Sequence, residues 1–202
     1  MGVIKKPVKY EVPGWEYIHE LCVELAEQVK RSKYNPDLIV AVSRGGWIPG
    51  RLILDFLGGP DIATIKVEYY VGFYKTRDKP EITQPLAVNV KGKKILLVDD
   101  IADTGRSLKV ALEYLREQGA KEVKTAALYF KPWSLVVPDF YARKTDAWVC
   151  FPHETYESID KMYSQLIKQG KSKKDVMKRL VELGIRPFHV EKFLSKKGPK
   201  RV

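Results

Sequence analysis

The run Ile95-Leu-Leu-Val-Asp-Asp-Ile-Ala-Asp-Thr-Gly-Arg-Ser107 passes from apolar side chains to two adjacent carboxylates, then to a third carboxylate and a small polar turn. Ile95 to Val98 is too short for a helix and rich in branched side chains, so it reads as a buried strand that stops where the polar groups begin. Beyond it, Leu108, Ala111, Leu112 and Leu115 recur at helical spacing, with Gly119 at the C-terminal cap. A loop joining a strand's carboxyl end to a helix N-terminus presents unpaired backbone N–H groups and the positive end of the helix dipole, which suits it to a phosphate. Thr104 and Ser107 add hydroxyl donors, and Gly105 lets the backbone approach closely.

Asp99 and Asp100 need a different explanation. Adjacent like charges at a strand end repel unless something cationic or polyhydroxylic lies between them, so a ribose diol, a Mg²⁺ ion or both would fit. One acid capping the helix while the others are solvated is the plainer alternative. Three Asp within five residues, directly ahead of Thr-Gly-Arg-Ser, argue against it.

Residues 97–107, LVDDIADTGRS, resemble the phosphoribosyl pyrophosphate (PRPP) signature of the type I phosphoribosyltransferases. The resemblance implies an α/β type I phosphoribosyltransferase fold: a largely parallel sheet flanked by helices, a small hood and, here, a helical C-terminal extension. It also implies that Asp99 and Asp100 hold the ribose hydroxyls, with Mg²⁺ as cofactor at the same two acids. Asp103, Thr104, Gly105, Arg106 and Ser107 then form the loop around the 5-phosphate. An acid at position 103 resembles the 6-oxopurine enzymes, whereas adenine, orotate and uracil enzymes and PRPP-binding repressors usually carry another residue there.

The remainder of the chain alternates helix and strand. Trp15, Ile18, Leu21, Cys22, Leu25, Ala26 and Val29 form a helical stripe, and Asn35-Pro36 breaks the chain before an apolar strand from Leu38 to Val42. A helix from about Ile48 to Leu57, closed by Gly58-Gly59-Pro60, precedes a strand from Ile62 to Tyr70. The stretch from Val71 to Val90 carries many charges and prolines and reads as a long excursion, of the kind that is functional or mobile in compact domains. Strands from Val123 to Phe130 and from Ala147 to Phe151 follow. Such alternation predicts a parallel sheet covered on both faces, with ligands at the carboxyl ends of its strands.

Two further clusters gain meaning from the resemblance. Val42-Ser-Arg-Gly-Gly-Trp-Ile-Pro-Gly50 is again a strand end, turn and helix, with Arg44 offering a planar fork for phosphate oxygens. Ser43, Arg44, Gly45 and Gly46 match the family's pyrophosphate loop, in which a non-proline cis peptide at Ser43-Arg44 is expected. In this loop the chain resembles bacterial xanthine-guanine phosphoribosyltransferases. Lys131, after the strand ending Tyr129-Phe130, and Trp148, in Asp146-Ala-Trp-Val-Cys-Phe-Pro-His-Glu154, resemble the family's 6-oxopurine pocket. By that match Lys131 reads O6, Trp148 stacks on the base in preference to packing in the core, Val149 contributes backbone and Glu154 matches a downstream acid. His153 stands where a larger aromatic is expected. Tyr70 matches the hood tyrosine, and Lys75 and Arg77 lie within the same excursion.

With 202 residues the chain is large enough for a substantial core, and it divides on sequence into a catalytic domain at 1–154, with a hood at about 69–90, and an extension at 155–202. No apolar run is long enough to span a bilayer, and the charged, proline-broken N-terminus does not read as a secretory signal, so a cytoplasmic, non-membrane enzyme is expected. Cys22 and Cys150 have no metal-ligand spacing and read as packed thiols. Residues 155–202 carry 13 Lys and Arg against 5 Asp and Glu, which is +8 of the chain's +11. Tyr156, Ile159, Met162, Tyr163, Leu166 and Ile167 make one amphipathic helix. Ser172 with Asp175 resembles a capping box before a second, ended by Gly184, and Val190, Phe193 and Leu194 suggest a short third. The tail could form a DNA-binding helix-turn-helix, but packing against the core or a second subunit is favoured, with the final lysines as a frayed tail.

The expectation is therefore a purine salvage enzyme that joins PRPP and a purine base of the 6-oxopurine type, with Asp103 and Arg44 as catalytic residues. A homo-oligomer, dimer or tetramer, without a nucleic-acid partner, is expected. A PRPP- or nucleotide-sensing regulator of the same fold and a pyrimidine-type phosphoribosyltransferase are the alternatives. The regulator usually lacks an acid like Asp103, and the pyrimidine enzyme has no need of Lys131 with Trp148.

Overall fold

A computed structural model describes residues 8–72 and 75–196, with the side chains of 69–79 and of 196 outside the description. The elements in chain order are β1 (Tyr10–Glu11), α1 (Trp15–Arg31), β2 (Leu38–Ser43), α2 (Trp47–Leu57), β3 (Asp61–Gly72), β4 (Lys75–Gln84), β5 (Lys94–Ala102), α3 (Arg106–Glu117), β6 (Glu122–Phe130), β7 (Phe140–Lys144), β8 (Trp148–Val149), a 3₁₀ turn (Pro152–Glu154), α4 (Thr155–Lys168), α5 (Lys173–Glu182) and α6 (Pro187–Lys196). Among the described residues they form two compact units, one within 16–146 and the other made of 8–15 with 147–196. The break falls at 146/147 rather than at the sequence boundary of 154/155, because β8 pairs with β1 and Cys150 packs with the last three helices.

The larger unit is a six-stranded sheet in the order β4-β3-β2-β5-β6-β7, parallel throughout except for β4. Its central strands are apolar without alternation because both faces are covered: Leu38, Ile39, Val40 and Ala41 are all buried, as are Ile95 to Val98. Leu38, Val40, Ile95 and Leu97 share a core with Leu108, Ala111 and Leu115 of α3. On the other face α2 lies close, since a Cβ on Gly50 would stand 3.1 Å from the Ala41 Cβ. Tyr34 ties down the far ends of the strands, donating its hydroxyl to the Ile95 carbonyl at 2.8 Å.

Four differences from the sequence reading have physical causes. The excursion after Tyr70 is a hairpin in which β4 runs antiparallel to β3 at the sheet edge; its charges and Pro80 are the usual defences of an edge strand and imitate a loop. The strand β5 does not stop at Val98 but continues through both acids to Ala102, paired with β6 as far as Phe130. The short β7, FYARK, is charged for the same reason as β4 and closes the other edge. Trp15 does not share the buried stripe of α1 and is 54 % exposed.

In the smaller unit α4, α5 and α6 pack their apolar stripes on one another, with Ile159, Met162, Val176, Leu180, Val190 and Phe193 in one buried cluster. The capping box of α5 is present, Ser172 accepting from the Asp175 N–H at 3.2 Å while the Ser172 N–H donates to the Asp175 carboxylate. The terminal lysine-rich segment 197–202 lies outside the described residues. Among those described, no helix is long and apolar enough to cross a membrane.

Both cysteines are buried, and burial pushes Cys22 up to about 12 and Cys150 to about 11. Since the thiolate is the reactive form, neither should react with a disulfide reagent at pH 7.5 in the native protein, and both should react within minutes in strong denaturant. Fast native labelling of either would contradict this packing.

Candidate active site

The site of the larger unit is built where β2 and β5 end side by side. Their register sets Ala41 opposite Val98, so the chain leaves β2 at Ser43 next to the acids on β5. Gly45 lies against Asp100, and a Cβ there would overlap the Asp100 carboxylate. Gly46 is equally confined: its Cβ would stand 2.7 Å from the Val42 carbonyl, and its N–H donates to that oxygen at 2.8 Å. The Ser43-Arg44 peptide is cis, in keeping with the resemblance. Ser43 is half-buried, with its hydroxyl oxygen wholly enclosed and without a hydrogen-bond partner among the described residues; Arg44 is exposed.

Asp100 is only 6 % exposed and its N–H donates to Asp99 Oδ1 at 3.0 Å. Burial, and after it the charge of Asp100, hold the Asp99 carboxyl well above the usual carboxylate range. The chain then turns through Asp103 and Thr104 to Gly105, whose φ of +73° and close fit against the backbone of Val136 require glycine. Because α3 starts at Arg106, the loop feeds directly into a helix N-terminus without a side-chain cap. Asp99, Ala102, Asp103, Thr104, Gly105 and Ser107 line a cleft of about 280 Å³.

A third segment closes on this loop. The Lys131 N–H donates to the Ala102 carbonyl at 3.0 Å, and the Leu135 N–H donates to the Thr104 carbonyl at 3.0 Å. Lys131 itself is 4 % exposed. Trp133, which the sequence reading leaves without a role, donates its indole N–H to Asp103 Oδ1 at 3.1 Å. Only the polar nitrogen of a tryptophan two residues past Lys131 hints at this in the sequence.

The other expected base-binding residues belong to the smaller unit. Trp148 pairs with Tyr10 through its backbone, is 40 % exposed and carries the Lys161 ammonium 5.7 Å from its ring centroid, so it is not a core side chain. Val149 is buried beside it in β8. Glu154 precedes α4 and accepts a long bond of 3.5 Å from the Ser158 hydroxyl. His153 lies against Phe151, their rings stacked 5.1 Å apart. The side chains of Tyr70, Lys75 and Arg77 lie outside the described residues.

Residues 14–160 match the family model for the phosphoribosyl transferase domain. The chain is 30 % identical over 151 residues to the xanthine-guanine phosphoribosyltransferase of Gluconobacter oxydans, covering 73 % of this chain and 86 % of that protein. It is 32 % identical over 146 residues to the xanthine-guanine phosphoribosyltransferase of Idiomarina loihiensis, covering 71 % and 86 %. The solved purine phosphoribosyltransferase of Pyrococcus horikoshii is similar with a TM-score of 0.66 and 38 % identity, over 72 % of this chain and 93 % of that one. The chain belongs to the phosphoribosyltransferase family and is a phosphoribosyltransferase enzyme.

The crowding at Gly45 yields a test. Gly45→Ala should weaken PRPP binding at least about tenfold while the far-UV circular dichroism stays native, since the added methyl must displace the Asp100 carboxylate. Gly14→Ala, with nothing within 4 Å of the new methyl, should bind PRPP as the wild type does. Equal affinities in the two variants would refute the apposition.

Proposed function

We propose that the protein transfers the phosphoribosyl group of PRPP to a 6-oxopurine, giving the nucleoside 5′-monophosphate and pyrophosphate. The observation that carries this reading is Lys131, a lysine held at 4 % exposure and tied through its backbone to the loop that bears Asp103. An ammonium so buried favours an oxygen acceptor, and O6 of hypoxanthine, guanine or xanthine offers one where the amino group of adenine does not. The relatives named for xanthine-guanine activity support the same base class.

In this reading Asp99 and Asp100 hold the ribose hydroxyls, and the loop from Asp103 to Ser107 holds the 5-phosphate at the N-terminus of α3. The loop from Ser43 to Gly46, with its exposed Arg44, meets the pyrophosphate. Two adjacent carboxylates fit a divalent cation as well as a diol, and Asp99 and Asp100 would hold Mg²⁺. Among the described residues no third acid, His or Cys joins them as a metal group, so PRPP and water would supply most of the ion's ligands. When bound, the ion neutralises charge on the leaving pyrophosphate. As the bond from the ribose C1 to pyrophosphate breaks, positive charge grows on the sugar, and the base nitrogen forms the new bond. Asp103 accepts the N7 proton of the base, and Arg44 stabilises the departing oxygens.

Pyrophosphate release from PRPP and Mg²⁺, measured with each purine and pyrimidine in turn, tests the reading. At least one 6-oxopurine should be turned over well ahead of adenine. Lys131→Met should lower kcat/KM for that oxopurine by roughly ten- to a hundredfold and erase most of the preference, because a buried acceptor loses a charged partner. Adenine turnover equal to the best oxopurine would refute the assignment.

A further inference from the structure

We propose that Trp133 is a positioning residue of the reaction: its indole N–H sets the proton acceptor Asp103, and its ring holds the base-reading Lys131. The proposal rests on the 6-oxopurine reading above and adds to it a single side chain that joins the proton-transfer and base-recognition groups.

Three observations converge on it. The indole Nε1, a donor with no acceptor capacity, lies 3.1 Å from Asp103 Oδ1. The Lys131 ammonium lies 5.6 Å from the centroid of the same ring, within the range at which an aromatic face attracts a cation, and its low exposure limits competition from water. The segment that carries Trp133 is fixed on both sides to the loop that carries Asp103, by Lys131 N–H to Ala102 and by Leu135 N–H to Thr104. The ring itself is 55 % exposed, so it contributes little to the core and its placement there needs another reason.

The chemistry explains what such a residue does. Asp103 sits on a short loop and is exposed, so unbound its carboxylate would sample several rotamers. A bond to one oxygen orients the group and leaves the proton of the base to the other. Misplacing an acceptor by about an ångström costs a large factor in rate without changing how the phosphates bind. The ring acts separately, drawing the ammonium toward one position and so fixing where O6 must lie.

Substitutions separate the two roles, because Phe keeps a ring without the N–H and Leu keeps neither. Trp133→Phe should lower kcat with the best oxopurine by about tenfold, leave KM for PRPP within about twofold and preserve the oxopurine preference over adenine. Trp133→Leu should show the same loss of kcat and, in addition, a preference reduced by about tenfold. The contact is read independently from the ¹⁵N-indole spectrum: the resonance missing in Trp133→Phe should shift in Asp103→Ala.

Full kcat in Trp133→Phe, or parallel losses of kcat and PRPP binding in both variants, would overturn the proposal. An indole resonance indifferent to Asp103→Ala would overturn it as well. If that resonance shifts while wild-type enzyme shows no preference for oxopurines, the base-class reading is what has failed, and the role of the ring toward Lys131 falls with it.

Discussion

Two carboxylates held side by side at the end of β5 are the constraint around which the site is arranged. Asp100 is buried and Asp99 half-buried, and the Asp99 carboxyl is driven above its usual range by burial and by its neighbour. A carboxyl raised in the folded protein costs stability as pH climbs from its ordinary range through the raised value, so near neutrality the pair works against folding. The surroundings accommodate it: Gly45 leaves room for the Asp100 carboxylate, and the Asp100 N–H bonds to Asp99. In the proposed reading, a ribose diol with a divalent cation would bring hydroxyl donors and positive charge to the pair.

The parallel register of β2 and β5 makes this arrangement possible. Strand ends in a parallel sheet point the same way, so two loops that are far apart in sequence, at 43–46 and 103–107, open on one edge. The segment after β6 bonds to the second of these loops at Ala102 and Thr104, which brings Lys131 and Trp133 beside Asp103.

Much of this was readable in the sequence because it is written in contiguous runs. Strands buried on both faces appear as unbroken apolar stretches, which is why β2, β5 and β6 stand out, and the loops after β2 and β5 carry their own glycines and polar residues. The edge strands β4 and β7 were not readable, since charges and proline on a sheet edge resemble a loop. Nor does the chain reveal that β5 passes beyond Val98, because polar side chains there look like a strand end when pairing with β6 in fact continues. Trp133 escaped for a different reason: its bond to Asp103 spans 30 residues and depends on how two loops meet. In the C-terminal helices the apolar stripes and the Ser172 cap were visible in advance, whereas their closure into a cluster of their own depends on Cys150 and Ile185 from outside the stripes.

Calorimetric titration of PRPP with Mg²⁺ into the wild type and into the double variant Asp99→Asn, Asp100→Asn, with thermal unfolding of both at pH 7.5, tests this account most directly. Removing both charges should weaken PRPP binding by at least about a hundredfold while the unfolding temperature stays level or rises, because the repulsion is relieved as the ligand contacts are lost. A double variant that binds PRPP as tightly as the wild type would contradict the assignment of the pair to the ribose. One that unfolds far below the wild type would show instead that the two acids serve the fold.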